Sequence, residues 1–202
     1  PIIELVPQYK GKASIEDFCK NENVSKDLAE FVQCGLFYND KSETRILYTH
    51  QYDSLKEAFV DRKNIVVTTG TGSGKTECFL LPIIADLVKE SSTWGTDRER
   101  AMRTMILYPL NALAEDQMIR LRKSLNSRRP NGKGALDWLD RKRQGNRFYF
   151  GRYTGSTPVS GTAEKSKNKL REEKQQLEFD WEAANEAAKK SGNAELLYHV
   201  TC

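Results

Sequence analysis

The chain has no long apolar run. The longest, Cys78 to Ala85, is eight residues and is interrupted by Pro82. A membrane-spanning helix needs about 20 apolar residues, so no span is available and no membrane partner is expected. Only four cysteines occur, Cys19, Cys34, Cys78 and Cys202, and no two are spaced Cys-x-x-Cys. That pattern excludes the usual spacing of a structural zinc site and gives no disulfide framework, so a reduced, cytoplasmic setting is expected. The first residues, Pro1-Ile2-Ile3-Glu4, have no basic stretch ahead of an apolar one, so they do not read as a signal peptide. They also lack an initiator Met, and a trimmed chain is expected. No internal repeat is visible.

One sign of charge is scarce over a single stretch. From Arg120 to Arg152 eleven basic side chains face only Asp137 and Asp140, a local excess of nine within a chain of net charge +4. The remainder is therefore mildly acidic, at −5. A basic zone inside an acidic protein points to a polyanionic partner, although such clusters are also ordinary solvated surface.

What the chain does have is a glycine turn in a specific setting. Residues 65–76 read Ile65-Val66-Val67-Thr68-Thr69-Gly70-Thr71-Gly72-Ser73-Gly74-Lys75-Thr76. An apolar β-branched run leads into glycines, and Gly-Lys-Thr opens an amphipathic helix. This is the order of parts in a phosphate-cradling P-loop. Glycines let the backbone N–H groups turn inward toward phosphate oxygens, and the helix adds the positive end of its dipole. Lys75 is expected to reach the β- and γ-phosphates of ATP, and Thr76 to hold Mg²⁺. The general pattern has Gly where this chain has Thr69, while Gly72 to Thr76 supply the anion-binding part.

Periodicity gives the surrounding order. Helices are expected over Val24–Phe37, within 46–60 after Leu47-Tyr48, over 75–90, over Leu110–Leu125 and over 135–144. In the helix after the loop, Phe79, Leu80, Ile83, Ile84, Leu87 and Val88 form the expected apolar face, and Pro82 predicts a kink. Ile65–Val67, Thr104–Tyr108 and Phe148–Phe150 read as buried strands. Residues 162–190, with charges of alternating sign, read as a solvated helical insertion. Strands alternating with helices imply an α/β fold with a parallel sheet.

Four stretches then fall in one order: Leu47-Tyr48-Thr49-His50-Gln51, Thr71-Gly72-Ser73-Gly74-Lys75-Thr76-Glu77, Leu107-Tyr108-Pro109-Leu110-Asn111-Ala112-Leu113-Ala114, and Tyr153-Thr154-Gly155-Ser156-Thr157-Pro158. Together they resemble the Q motif and motifs I, Ia and Ib of superfamily 2 DEAD/DEAH-like helicases, and among these the large bacterial DNA helicases of repair and phage-defence systems. The resemblance implies a partial RecA-like P-loop domain over 46–202 with a helical accessory segment over 1–45. It implies an ATP and Mg²⁺ site built from Tyr48, Gln51, Thr71, Gly72, Ser73, Gly74, Lys75, Thr76 and Glu77. Within that set Lys75 and Thr76 serve catalysis, Thr76 holds the metal, and Gln51 reads the adenine edge. It further implies that Pro109, Leu110, Asn111, Thr154 and Gly155 grip a nucleic-acid backbone, with Arg128, Arg129 and Arg152 on a strand-binding rim. DNA is expected over RNA, with other subunits of a defence or repair complex as further partners.

One element of the family is missing from these residues. No Asp-Glu-x-His/Asp motif occurs, and Asp180-Trp181-Glu182 follows no apolar strand. The expected reading is an N-terminal helicase piece cut before motif II, able to bind nucleotide rather than hydrolyse it. Two rivals stand beside it. A small-molecule P-loop kinase leaves the third and fourth stretches unexplained, and a nucleotide-gated interaction module requires a complete chain.

Overall fold

The computed structural model describes residues 8–39, 43–95, 98, 101–154 and 163–192. Two units divide the chain: Pro1–Met105 with Ser124–Phe148, and Ile106–Lys123 with Tyr149–Cys202.

In the first unit β1 (Gly11–Ser14) runs directly into α1 (Ile15–Asn21). Ser14 starts that helix, its Oγ accepting from the Asp17 N–H at 3.1 Å and donating to the Asp17 carboxylate at 2.8 Å. Ser25 caps α2 (Lys26–Cys34) in the same way, accepting from the Asp27 N–H at 3.2 Å. The apolar face of α2 buries Leu28, Phe31 and Val32, as their spacing predicts. At Gly35, just beyond α2, a Cβ would lie 2.0 Å from the Ser124 carbonyl oxygen, so only glycine fits there.

Next, β2 (Ile46–Tyr48) pairs antiparallel with β1, Gly11 opposite Tyr48 and Ser14 opposite Ile46. The expected helix follows as α3 (Thr49–Leu55). It continues through one π-helical turn, Lys56–Val60, in which the Asp61 N–H donates to the Lys56 carbonyl at 3.0 Å. Glu22 ties α1 to this turn, accepting from Lys56 at 2.5 Å and from the Tyr52 hydroxyl at 2.9 Å.

After the glycine loop comes α4 (Lys75–Ser91), which continues through Pro82. It buries Cys78, Leu80, Leu81, Ile84, Ala85 and Val88, while Phe79, Ile83 and Leu87 form a half-buried second row. The buried face is thus turned from the expected one. Both α2 and α3 pack on α4, and α6 (Ala135–Lys142) packs on α2. Phe31 joins these layers, edge-on to Trp138 at 5.2 Å and to Phe148 at 5.3 Å.

Most of α5 (Asn111–Leu125) and all of α7 (Ala163–Ser191) belong to the second unit. Met118 of α5 is buried. Along α7, Leu170, Phe179 and Trp181 are exposed, in keeping with a solvated helix.

The three expected strands are not strands here. Residues 65–67, 104–108 and 148–150 form no ladder, and β1–β2 is the sheet present among the described residues. Val66 is 91% exposed and Leu107 82% exposed. The physical reason is that a parallel strand acquires its burial from ladder neighbours and from helices on both faces. Its β-branched side chains record a preference for that setting and cannot create it. Phe148 alone among these residues is well buried, between Phe31 and Trp94.

Candidate functional site

The glycine loop connects the extended segment after α3 to the first turn of α4. Gly72 and Gly74 have φ of +74° and +76°, the left-handed region where L side chains are strained. At Gly74 a Cβ would also meet Gln51 Nε2 at 2.3 Å. Lys75 folds back along the loop, its ammonium donating to the carbonyls of Thr69 at 2.8 Å and Gly70 at 2.6 Å. The hydroxyls of Thr69 and Ser73 lie 2.6 Å apart and brace the loop from within. Thr69, where the general motif has glycine, thus has a defined partner.

The start of α3 holds the other side of the loop. Gln51 is fully buried. Its Oε1 accepts from the Tyr48 N–H at 3.0 Å, and its Nε2 donates to the Gly74 carbonyl at 3.2 Å. His50 Nε2 lies 2.8 Å from the Ser73 carbonyl. A carbonyl only accepts, so this nitrogen carries the proton. Tyr48, Tyr9 and His50 form a cluster of three rings with centroids 5.4–5.7 Å apart. In the first turn of α4, Thr76 is half-buried and Glu77 is buried, with an Arg45 guanidinium nitrogen 3.8 Å from its carboxylate. Thr71 and Gly72 are exposed at the loop's crest.

The structure therefore brings together Tyr48, Gln51 and Thr71 to Glu77. Glycine-permitted turns, an ammonium, a hydroxyl and a helix N-terminus make a donor set that fits a polyphosphate. His50 and Tyr9 belong to the same neighbourhood and carried no assigned role in the sequence. His50 had a legible signal, adjacent to Gln51 at a helix start. Tyr9 had none, because nothing local links it to the loop.

The basic residues have acidic partners, Asp137 and Asp140 within the same stretch and others farther off in the sequence. In the first unit, Arg128 pairs with Asp137 at 3.2 Å and Asp140 at 3.0 Å. Arg147 pairs with Asp140 at 2.5 Å, and Lys142 with Glu30 at 3.1 Å. Asp140 is held below the usual carboxylate range by its bond to Arg147, with Arg128 adding to it. Arg143 is nearly buried; it donates to Asp27 at 2.6 Å and Ser91 at 2.8 Å, and its guanidinium lies 4.7 Å from the Trp138 ring centre. Arg129 lies over the Tyr38 ring at 4.1 Å. In the second unit, Arg152 pairs with Glu115, which also faces the buried Arg122 at 3.7 Å. Pro109, Leu110 and Asn111 are exposed at the N-terminus of α5, Thr154 is half-buried, and Gly155 lies outside the described residues.

Burial pushes the Cys19 thiol pKa up to about 11 and raises those of Cys34 and Cys78. Among the described residues no cluster of His, Cys, Asp and Glu is placed to hold a metal ion. No helix among them is long and apolar enough to cross a membrane.

A glycine loop opening a helix, held by a glutamine-bearing helix start, is the arrangement of a P-loop. The chain belongs to the DEAD/DEAH box helicase family, which matches residues 48–179 and implies a RecA-like α/β fold. It is similar to the Druantia protein DruE of Escherichia coli (strain UMEA 4076-1), at 34% identity over 84% of this chain and 9% of that protein. It is also similar to the uncharacterized ATP-dependent helicase YprA of Bacillus subtilis (strain 168), at 26% identity over 62% of the chain and 16% of that protein. A third relative is the uncharacterized ATP-dependent helicase MJ1574 of Methanocaldococcus jannaschii, at 31% identity over 57% of the chain and 14% of that protein. The chain thus spans less than a fifth of each of these relatives. No solved structure gives a significant match.

Proposed function

We propose that this chain is the ATP-binding part of an ATP-dependent nucleic-acid helicase or translocase, with DNA as the substrate, serving a bacterial defence or repair system in the cytoplasm. The observation that carries this reading is the loop from Thr69 to Thr76, with Lys75 and the α4 N-terminus on one short stretch braced by α3. Family membership and the helicase names of YprA and MJ1574 support it. Residues 46–202 are read as a RecA-like part and 1–45 as an accessory segment; 65–67, 104–108 and 148–150, which form no ladder here, are read as strands of a parallel sheet that needs further neighbours to form.

In this reading Lys75 leaves the Thr69 and Gly70 carbonyls and takes the β- and γ-phosphates. The Thr76 hydroxyl holds Mg²⁺, which supplies charge neutralisation when bound. Tyr48 packs near the base. Gln51 either holds the Gly74 carbonyl, as here, or turns its amide to the adenine edge. Pro109 to Asn111, Thr154 and Gly155 take phosphates of the nucleic acid through N–H and hydroxyl groups. Arg128, Arg129 and Arg152 serve the rim to the extent that their carboxylate and ring partners release them.

The test is titration of a fluorescent ATP analogue into the chain and its Lys75→Ala variant. Loss of a charge-assisted phosphate contact should weaken binding about 10- to 150-fold. Equal affinity for the two proteins would overturn the assignment. Parallel titration with single-stranded DNA and RNA of one sequence tests the substrate class, and tighter binding of RNA would overturn DNA.

A further inference from the structure

We propose that His50 is a positioning residue for the phosphate loop, which it orients by donating from Nε2 to the Ser73 carbonyl. The inference rests on the nucleotide-site reading above. A trans peptide unit is planar, so its C=O and N–H point in opposite directions. His50 draws the Ser73 carbonyl toward α3 at 2.8 Å. The N–H of the same unit, that of Gly74, is thereby aimed away from α3. Gln51 repeats the operation one residue on, taking the Gly74 carbonyl at 3.2 Å and leaving the Lys75 N–H aimed away. Two successive carbonyls turned to one side leave two successive N–H groups on the other, which is the arrangement that binds an anion.

The surroundings of His50 suit this task. Its ring is stacked with Tyr48 at 5.7 Å and 23°. Tyr9 closes on it edge-first at 5.4 Å and 68°. The imidazole is thus held in one orientation by two rings from different elements. Its target is equally constrained: Ser73 is fully buried, and the Thr69 hydroxyl holds its Oγ at 2.6 Å. Loss of the His50 contact frees the Ser73–Gly74 peptide and leaves the next one, Gly74–Lys75, held by Gln51.

The test compares His50→Gln, His50→Asn and His50→Phe with the native chain and Lys75→Ala, using a fluorescent ATP analogue. Gln and Asn carry the same amide and differ by one methylene, so reach to the Ser73 carbonyl separates them. His50→Gln should bind within about twofold of the native chain, whereas His50→Asn and His50→Phe should bind about three- to tenfold more weakly. Amide exchange at Gly74 without nucleotide should quicken in His50→Asn and not in His50→Gln, while Lys75, on the peptide held by Gln51, stays unchanged. Equal affinities of the Asn and Gln variants, at any level, would overturn the proposal. If His50→Phe fails to fold, the Asn and Gln pair still decides. If the native chain and Lys75→Ala bind alike, the nucleotide-site reading fails first, and the two failures are thus told apart.

Discussion

The ammonium of Lys75 donates to the carbonyl of Thr69 at 2.8 Å, six residues back along the same loop. The lysine is thus already solvated by its own backbone. An arriving phosphate exchanges one set of hydrogen bonds for another, and affinity reflects the difference between the two.

Gln51→Ala should destabilise the first unit by about 1–3 kcal/mol, because it removes the acceptor of the part-buried Tyr48 N–H and one of the donors to the Gly74 carbonyl. It should weaken purine and pyrimidine nucleotides alike, since both polar atoms of the amide serve the backbone. Denaturant melts and titrations with four nucleotides check this. A loss confined to adenine nucleotides would show that the amide turns to the base.

Arg143→Ala should cost about 1–3 kcal/mol, the range for breaking a hydrogen bond to a charged group and leaving its partner half-buried. The salt dependence of nucleic-acid binding should not change. Replacing Arg128 and Arg141 by Gln together should flatten the slope of log K against log salt by up to about 1.4 for a single strand. The loss should be similar for all sequences, since phosphate contacts carry no base information. If Arg143 alone moves the slope, the nearly buried guanidinium faces the strand and the ion pair with Asp27 is incidental.

These residues show what the sequence could and could not disclose. The glycine loop and the helices of the first unit from α2 onward were legible, because caps, glycines and 3.6-residue spacing are local signals. The short β1 and α1 were not, being too brief to show a period. Those partners of the basic zone that lie outside it were invisible for a different reason. Arg143 meets Asp27 across 116 residues, so a window that counts nearby charge sees only the arginine. The apolar runs 65–67 and 104–108 signalled strands that need neighbours to become a sheet.

Acid should loosen the fold in a defined window. Glu22 is held below its ordinary value chiefly by Lys56, Glu90 by Arg103 and Asp140 by Arg147. A carboxylate with a folded value below its unfolded one stabilises fully above the unfolded value. It loses that contribution as pH falls through the folded value. The melting temperature should therefore be level from pH 7 to about 5 and fall below about 4, the ordinary range of Asp and Glu. All three pairs are solvent-accessible, so salt at about 1 M should shrink the effect. A melting temperature unchanged down to pH 3 would show that these pairs contribute nothing.

Nucleotide binding by these 202 residues should proceed without turnover, because they contain no Asp-Glu-x-His/Asp motif to pair with Mg²⁺ and position water. Phosphate release with saturating ATP and DNA should match that of Lys75→Ala. Turnover well above that variant would mean that another carboxylate fills the role.

The wide turn at Lys56–Val60 bears on how such chains are recognised. It takes up an additional residue at the C-terminal end of the helix, with Leu55 and Phe59 both still buried. The number of residues between Gln51 and Gly72 is therefore not fixed by geometry. A chain with a plain α-helical turn at this point would be one residue shorter and could place the same glutamine against the same loop. A search template with a rigid gap between the two motifs would reject sequences that build an identical site.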